Sequence, residues 1–129
     1  MFPDLLPATF EFTTKNLLFE FVRSSLANVP FHENSPAISR LVADKFPLHL
    51  AVHQISQLSQ PPAPYTFPHL HEEEDEINIL LSAGLLKYSI MLADEYHIVT
   101  ANSSIYIPRG MVHSANVLEG AGFFITLRF

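Results

Sequence analysis

From residue 77 onward the chain is a succession of short apolar runs, at 77–81, 85–92, 96–99, 104–107, 112–117 and 123–129. Turn-forming residues separate them: Ala83-Gly84, Ala93-Asp94-Glu95, Ala101-Asn102, Pro108-Arg109-Gly110 and Glu119-Gly120-Ala121-Gly122. Strands recurring at roughly 8–12 residues with turn signals between them indicate an antiparallel sandwich or barrel. An earlier run reads the same way, because Leu48, Leu50 and Val52 alternate with His49, Ala51 and His53, giving a strand with two differently lined faces. His49 and His53 could contribute to a pocket, but with no partner motif around them they read first as surface or satisfied core residues. The fold class is therefore all-β in the main.

The chain before that strand is expected to be mixed. Phe2, Leu5, Leu6, Phe10 and Phe12 follow no clean period. Thr13 or Thr14 can cap a helix over about 15–27 with Leu17, Leu18, Phe21 and Val22 on one face, and an extended reading is nearly as good. A second helix is expected from Ser35 as N-cap and Pro36 at its first position, carrying Ile38, Leu41, Val42 and Lys45 at helical spacing and stopping before Pro47. Pro61, Pro62, Pro64 and Pro68 mark 59–67 as a loop, since proline fits neither helix interior nor central strand. At 129 residues one domain is expected. Residues 1–47 then form a lead-in packed on a barrel of residues 48–129.

Composition narrows the function. Hydrophobic residues at 48% against 16% charged allow a well-filled core. A net charge of −6, with seven Lys and Arg scattered singly, leaves no basic stripe for nucleic acid. With no cysteine, disulfides, thiolate nucleophiles and cysteine metal sites are excluded, so any metal must use histidine and carboxylate. No apolar run approaches the roughly 20 residues of a membrane helix, and no basic segment followed by an apolar core begins the sequence. A soluble cytoplasmic protein is the expectation. Four glycines make phosphate cradles improbable, and no serine with a paired base and acid stands out.

Most of the chemistry lies in Pro68-His69-Leu70-His71-Glu72-Glu73-Glu74-Asp75-Glu76. Histidines one residue apart face the same side of an extended segment, so both imidazoles can meet one ion. A carboxylate across the acidic turn, at Glu76, adds a hard oxygen to two nitrogens, a set that suits a divalent transition metal. Glu72, Glu73 and Glu74 read as a solvated turn whose charge attracts cations. Further on, Pro108-Arg109-Gly110-Met111-Val112-His113 is a tight turn entering a strand, and such a turn can aim its histidine repeatably.

Together, His69-x-His71-x4-Glu76 and Pro108-x-Gly110-x2-His113 resemble the paired motifs of the cupin superfamily, over residues 68 to about 117. Gly84 lies one place beyond the family's first-motif glycine, Asn116 one place before its second-motif asparagine, and Asn102 where a glycine is usual. Asn102 is tolerable there because asparagine accepts left-handed backbone. The resemblance implies an antiparallel jelly-roll barrel, a double-stranded β-helix, with His69, His71, Glu76 and His113 as ligands of one divalent ion. Asp75 is the rival carboxylate because it fits the family's shorter spacing; Glu76 is preferred because the apolar run starts directly after it.

Such a site leaves about two of six octahedral positions open for water, dioxygen or a bidentate substrate. Fe(II) would support oxygenase chemistry, and Mn(II), Ni(II) or Zn(II) would support isomerisation, elimination or hydrolysis. The expected function is a metal-dependent enzyme acting on a small organic molecule, dioxygenase first and isomerase or lyase second. The competing class is a ligand-binding or sensor cupin without turnover. Asn78 shares a strand face with Glu76 and is a candidate pocket group. Tyr88, Tyr96, Tyr106 and Arg128 are candidates for proton transfer or anion binding, each with a packed or exposed alternative. Arg109 reads as a surface residue. Phe123, Ile125, Leu127 and Phe129 share one face of the last strand and read as core or dimer interface; the resemblance also implies a homodimer.

Overall fold

The computed structural model describes residues 14–129, so Thr13 and the apolar residues before it lie outside the description. Eight strands follow in chain order: β1 Val22–Arg23, β2 Ile38–Val42, β3 His49–Leu58, β4 Glu76–Leu81, β5 Leu86–Leu92, β6 Glu95–Thr100, β7 Ser103–Ile107 and β8 His113–Arg128. Every pairing is antiparallel. The hydrogen-bonded order is β1-β2-β3-β8-β4-β7, with β5 joining β8 and β6 joining β5. This is the mainly antiparallel β fold that the turn spacing predicts.

Two expectations fail. The helix from Ser35 is instead strand β2, paired with β3 from Ile38↔Ile55 to Val42↔Ala51. Local spacing of Ile38, Leu41 and Val42 is compatible with a helix, but β3 offers β2 a ladder of backbone partners, and tertiary pairing overrides propensity. The helix over 15–27 is likewise replaced by two short 3-10 turns, Thr14–Leu17 and Leu26–Asn28, flanking β1. The second is capped by the Ser25 hydroxyl, which accepts from the Ala27 amide.

The last two apolar runs form one strand of 16 residues rather than two. Residues 113–120 pair with β5, residues 123–128 pair with β4, and β3 runs beside β8 from Gly120 to Arg128, so β8 passes between two parts of the fold. Gly120 makes the passage possible. Its φ of +101° suits glycine, and a Cβ there would run into the Leu85 carbonyl oxygen. Glycine serves here as a close-approach residue inside a continuing strand. Asn102 also departs from expectation: it does not adopt left-handed backbone, and its Oδ1 instead accepts from the Ser82 amide at 2.9 Å.

The registers arrange the inner face in rungs. Arg40, His53, Phe124 and Leu80 lie across one, Ala51, Thr126 and Asn78 across the next, and His49, Arg128 and Glu76 across the third. Apolar side chains fill one end, where Leu80, Leu86, Tyr88, Ile90, Val117 and Phe124 pack together, each below 5% exposed. Burying such side chains contributes about 1.5–3 kcal/mol each, before entropy is set against it. The rungs turn polar toward Glu76, and a cavity opens there. Phe124 is the inward aromatic of β8, whereas Phe123 and Phe129 are 42% and 37% exposed, which removes them from the core.

Candidate metal centre

His69 and His113 are held opposite each other by a reciprocal pair of backbone hydrogen bonds, His69 N to His113 O at 3.1 Å and His113 N to His69 O at 2.8 Å. That isolated bridge puts their rings on one side, with centroids 4.5 Å apart. The first-motif segment is extended without belonging to a regular strand. His71 follows at alternate spacing, its ring centroid 5.1 Å from that of His69 and 5.3 Å from that of His113. The two motifs are also tied through the Gly110 amide, which donates to the His71 carbonyl at 2.8 Å. One nitrogen from each of the three rings lies within 4.8 Å of the others.

Glu76 opens β4 and is 6% exposed. Its Oε1 is 3.4 Å from His71 Nε2 and 3.6 Å from His113 Nε2. Its Oε2 accepts from Asn78 Nδ2 at 2.8 Å, which places the candidate Asn78 beside the carboxylate. Burial alone would push the Glu76 carboxyl up, but the imidazole of His113, the Asn78 amide and the nearby His71 outweigh it and hold the group below the usual carboxylate range. Asp75 points elsewhere. It accepts from the Tyr106 hydroxyl, from the Arg109 amide at 2.9 Å and from Arg109 Nε at 3.2 Å. Tyr106 is 55% exposed and stands outside the cavity with Asp75.

The ring nitrogens are oriented for a cation. His69 Nδ1 meets the Phe67 carbonyl at 2.7 Å and His113 Nδ1 the Met111 carbonyl at 2.9 Å. A carbonyl only accepts, so Nδ1 carries the proton in both rings and Nε2 keeps its lone pair. His113 Nε2 is buried with no hydrogen-bond partner among the described residues. Glu76 Oε1 stands 3.6 Å away, beyond hydrogen-bond distance, and a metal ion held by both groups would satisfy them. His71 differs, because Arg128 Nη1 lies 3.1 Å from its Nδ1. Arginine only donates, so the neutral ring carries its proton on Nε2, facing Glu76. Ligation through that Nε2 requires the proton to shift to Nδ1 and Arg128 to release the ring.

Burial first, and then the charge of Arg128, holds His71 down at about 4. Burial lowers His69 as well. Burial also opposes a charge on His113, but the Glu76 carboxylate and the Met111 carbonyl outweigh it and raise that group. His69, His71 and the ionised Glu76 are thus in the protonation state that ligation needs, and His113 must give up any proton it holds on Nε2 to join them.

The cavity around this cluster is about 270 Å³. Its walls include His32 and Arg40, which the sequence did not single out, and His49 and His53, for which a pocket place was the lesser of two readings. For His49 and His53 the signal was present, since strand alternation sets both on one face of β3; what was missing was the register that joins that face to Glu76. Arg40 was hidden inside the misassigned helix. At the mouth, Phe31 adopts a φ of +63°, a strained position for a bulky residue, and stacks on His69 with ring planes 3° apart. Of the other tyrosines, Tyr88 is wholly buried and bonded to the Tyr65 hydroxyl at 2.9 Å, and Tyr96 is 71% exposed. Neither lines the cavity. No described helix is long and apolar enough to cross a membrane.

No family model matches the chain, and no curated protein matches it. Solved structures do. An RmlC-like cupin from Shewanella frigidimarina aligns with a TM-score of 0.51 and 13% identity over 95% of this chain and 91% of its own. KdgF from Halomonas sp. aligns with a TM-score of 0.55 and 19% identity over 81% of this chain and 91% of its own. The Fe(II) form of HppE aligns with a TM-score of 0.58 and 10% identity over 96% of this chain and 62% of its own. This chain shares its barrel fold with these structures, the RmlC-like cupin among them, and its three-histidine cluster lies on the cavity wall.

Proposed function

We propose that this chain is a metal-dependent cupin enzyme in which His69, His71, His113 and Glu76 hold one divalent transition metal ion beside a cavity for a small organic molecule. The observation that carries the reading is the convergence of three imidazoles, one nitrogen from each within 4.8 Å of the others, with the Glu76 carboxylate 3.4 Å and 3.6 Å from two of them. Bound there, the ion supplies Lewis-acid chemistry or, as Fe(II), oxygen chemistry. The Fe(II) form of HppE shares the fold, which supports Fe(II) as the first ion to load. Dioxygenase is the first reaction class we propose, and isomerase or lyase the next.

The chain's own groups prepare the site. Carbonyls of Phe67 and Met111 fix two ring tautomers. Asn78 holds the Glu76 carboxylate in place, and such outer contacts commonly govern metal affinity. Phe31 narrows access from solvent beside His69. The test is a screen of small organic acids, alcohols and sugars against Fe(II)-loaded protein, read by oxygen uptake and product analysis. Turnover that disappears in His113→Ala is expected. Ligands that raise Tm without being converted, with Fe(II) or with Mn(II), Ni(II) or Zn(II) loaded in its place, would instead make the chain a binding module.

A further inference from the structure

We propose that Arg40, with Arg128 beside it, seats a carboxylate of the ligand on the cavity wall, so that the molecule bound here is a small organic acid. Arg40 is 8% exposed and lines the cavity from the middle of β2, opposite His53 on β3. Its guanidinium meets no acid and no hydrogen-bond acceptor among the described residues. A buried charge without a partner is expensive, and arginine almost always finds an anion when it is buried. Only one carboxylate lines the cavity among the described residues, Glu76, and it is already engaged by Asn78, His71 and His113.

Arg128 adds a second guanidinium to the same wall and is close enough to disfavour the charge on Arg40. Burial keeps His49 and His53 neutral, reinforced by Arg128 and Arg40 at His49 and by Arg40 at His53, so neither histidine adds positive charge and neither offsets it. Arg128 is paired with Glu74 at 3.5 Å, so Arg40 is the cation left without a partner among the described residues, and it keeps the wall positive in a protein whose overall charge is −6. Positive charge retained inside an acidic protein attracts an anion, and a guanidinium fork matches a carboxylate with two parallel hydrogen bonds. A cavity of about 270 Å³ limits that anion to a small acid. The role of Arg128 rests on the proposed metal centre, because ligation by His71 is what releases its guanidinium from Nδ1. The role of Arg40 does not.

Isothermal titration of malonate and of its neutral isostere malonamide, into both metal-loaded and EDTA-stripped protein, tests this. Malonate is expected to bind wild type at least about tenfold more tightly than malonamide, the size of one charge-assisted contact. Arg40→Met should lose that difference with its metal content unchanged, and Arg40→Lys should retain part of it. Melting curves establish that both variants are folded. Equal binding of the two probes, or malonate binding unaffected in Arg40→Met, overturns the proposal. Absence of metal from the protein would remove the metal centre alone, since Arg40-dependent malonate binding by stripped protein would still uphold the anion site.

Discussion

His53 makes stability depend on pH in a way the structure sets. Its ring is 5% exposed, stacked on Phe124 with centroids 5.7 Å apart, and its Nδ1 lies 3.3 Å from the Tyr65 hydroxyl. Burial, then the charge of Arg40, lowers it from 6.5 to about 3. The unfolded chain therefore takes up a proton near pH 6.5 that the folded chain refuses until about pH 3. Stability from this group is fully present above pH 6.5 and is lost as pH falls toward 3. One unit of pKa difference corresponds to about 1.36 kcal/mol, so between about pH 7.5 and about pH 4.5 His53 removes roughly 2–3 kcal/mol. Urea denaturation of EDTA-stripped wild type and His53→Phe at both pH values isolates that contribution, because the other histidines titrate in both proteins. Wild type should lose roughly 2–3 kcal/mol more than the variant over that interval. Equal losses would refute the assignment of His53 as a buried neutral ring beside Arg40.

Three further outcomes follow from the packing. Gly120→Ala should destabilise the fold by about 2–5 kcal/mol, from left-handed strain plus the collision with the Leu85 carbonyl, measured as a loss of ΔG in urea; a near-neutral change would contradict the account of β8. Asn78→Ala removes the hydrogen bond to Glu76 Oε2 and should weaken metal affinity about 10–100-fold in chelator competition, while unchanged affinity would make the contact incidental. The outward row Phe123, Ile125 and Leu127 flanks outward Ile77 and Ile79 on β4, an apolar surface that a second copy would cover. Sedimentation should give a dimer that Ile125→Lys dissociates; a monomeric wild type would count against it.

The barrel was legible because alternation and turn residues report directly on strands with one buried face. The resemblance of the two motifs singled out His69, His71, Glu76 and His113 together, and their side chains do converge; the start of the apolar run favoured Glu76 over Asp75. Glu76 and Asp75 do point oppositely, one to the imidazoles and the other to Arg109 and Tyr106. Strand β2 was not legible, since Ser35-Pro36 imitates a helix start and only its pairing with β3 reveals the ladder. With β2 misread, Arg40 had no face, and the cationic wall it builds with Arg128 went unseen. The continuity of β8 was hidden for the opposite reason. Gly120 and Gly122 look like a turn, yet they serve close backbone approach within one bent strand.

The central claim is that His69, His71, Glu76 and His113 act together on one ion. Elemental analysis of purified, Fe(II)-reconstituted protein tests it most directly, alongside Asp75→Asn, Glu76→Gln, His71→Ala and His113→Ala. The account predicts about one metal per chain in wild type and Asp75→Asn, and a loss in the other three, as ligand removal requires. Metal retained in His113→Ala, or lost in Asp75→Asn but not in Glu76→Gln, would contradict it.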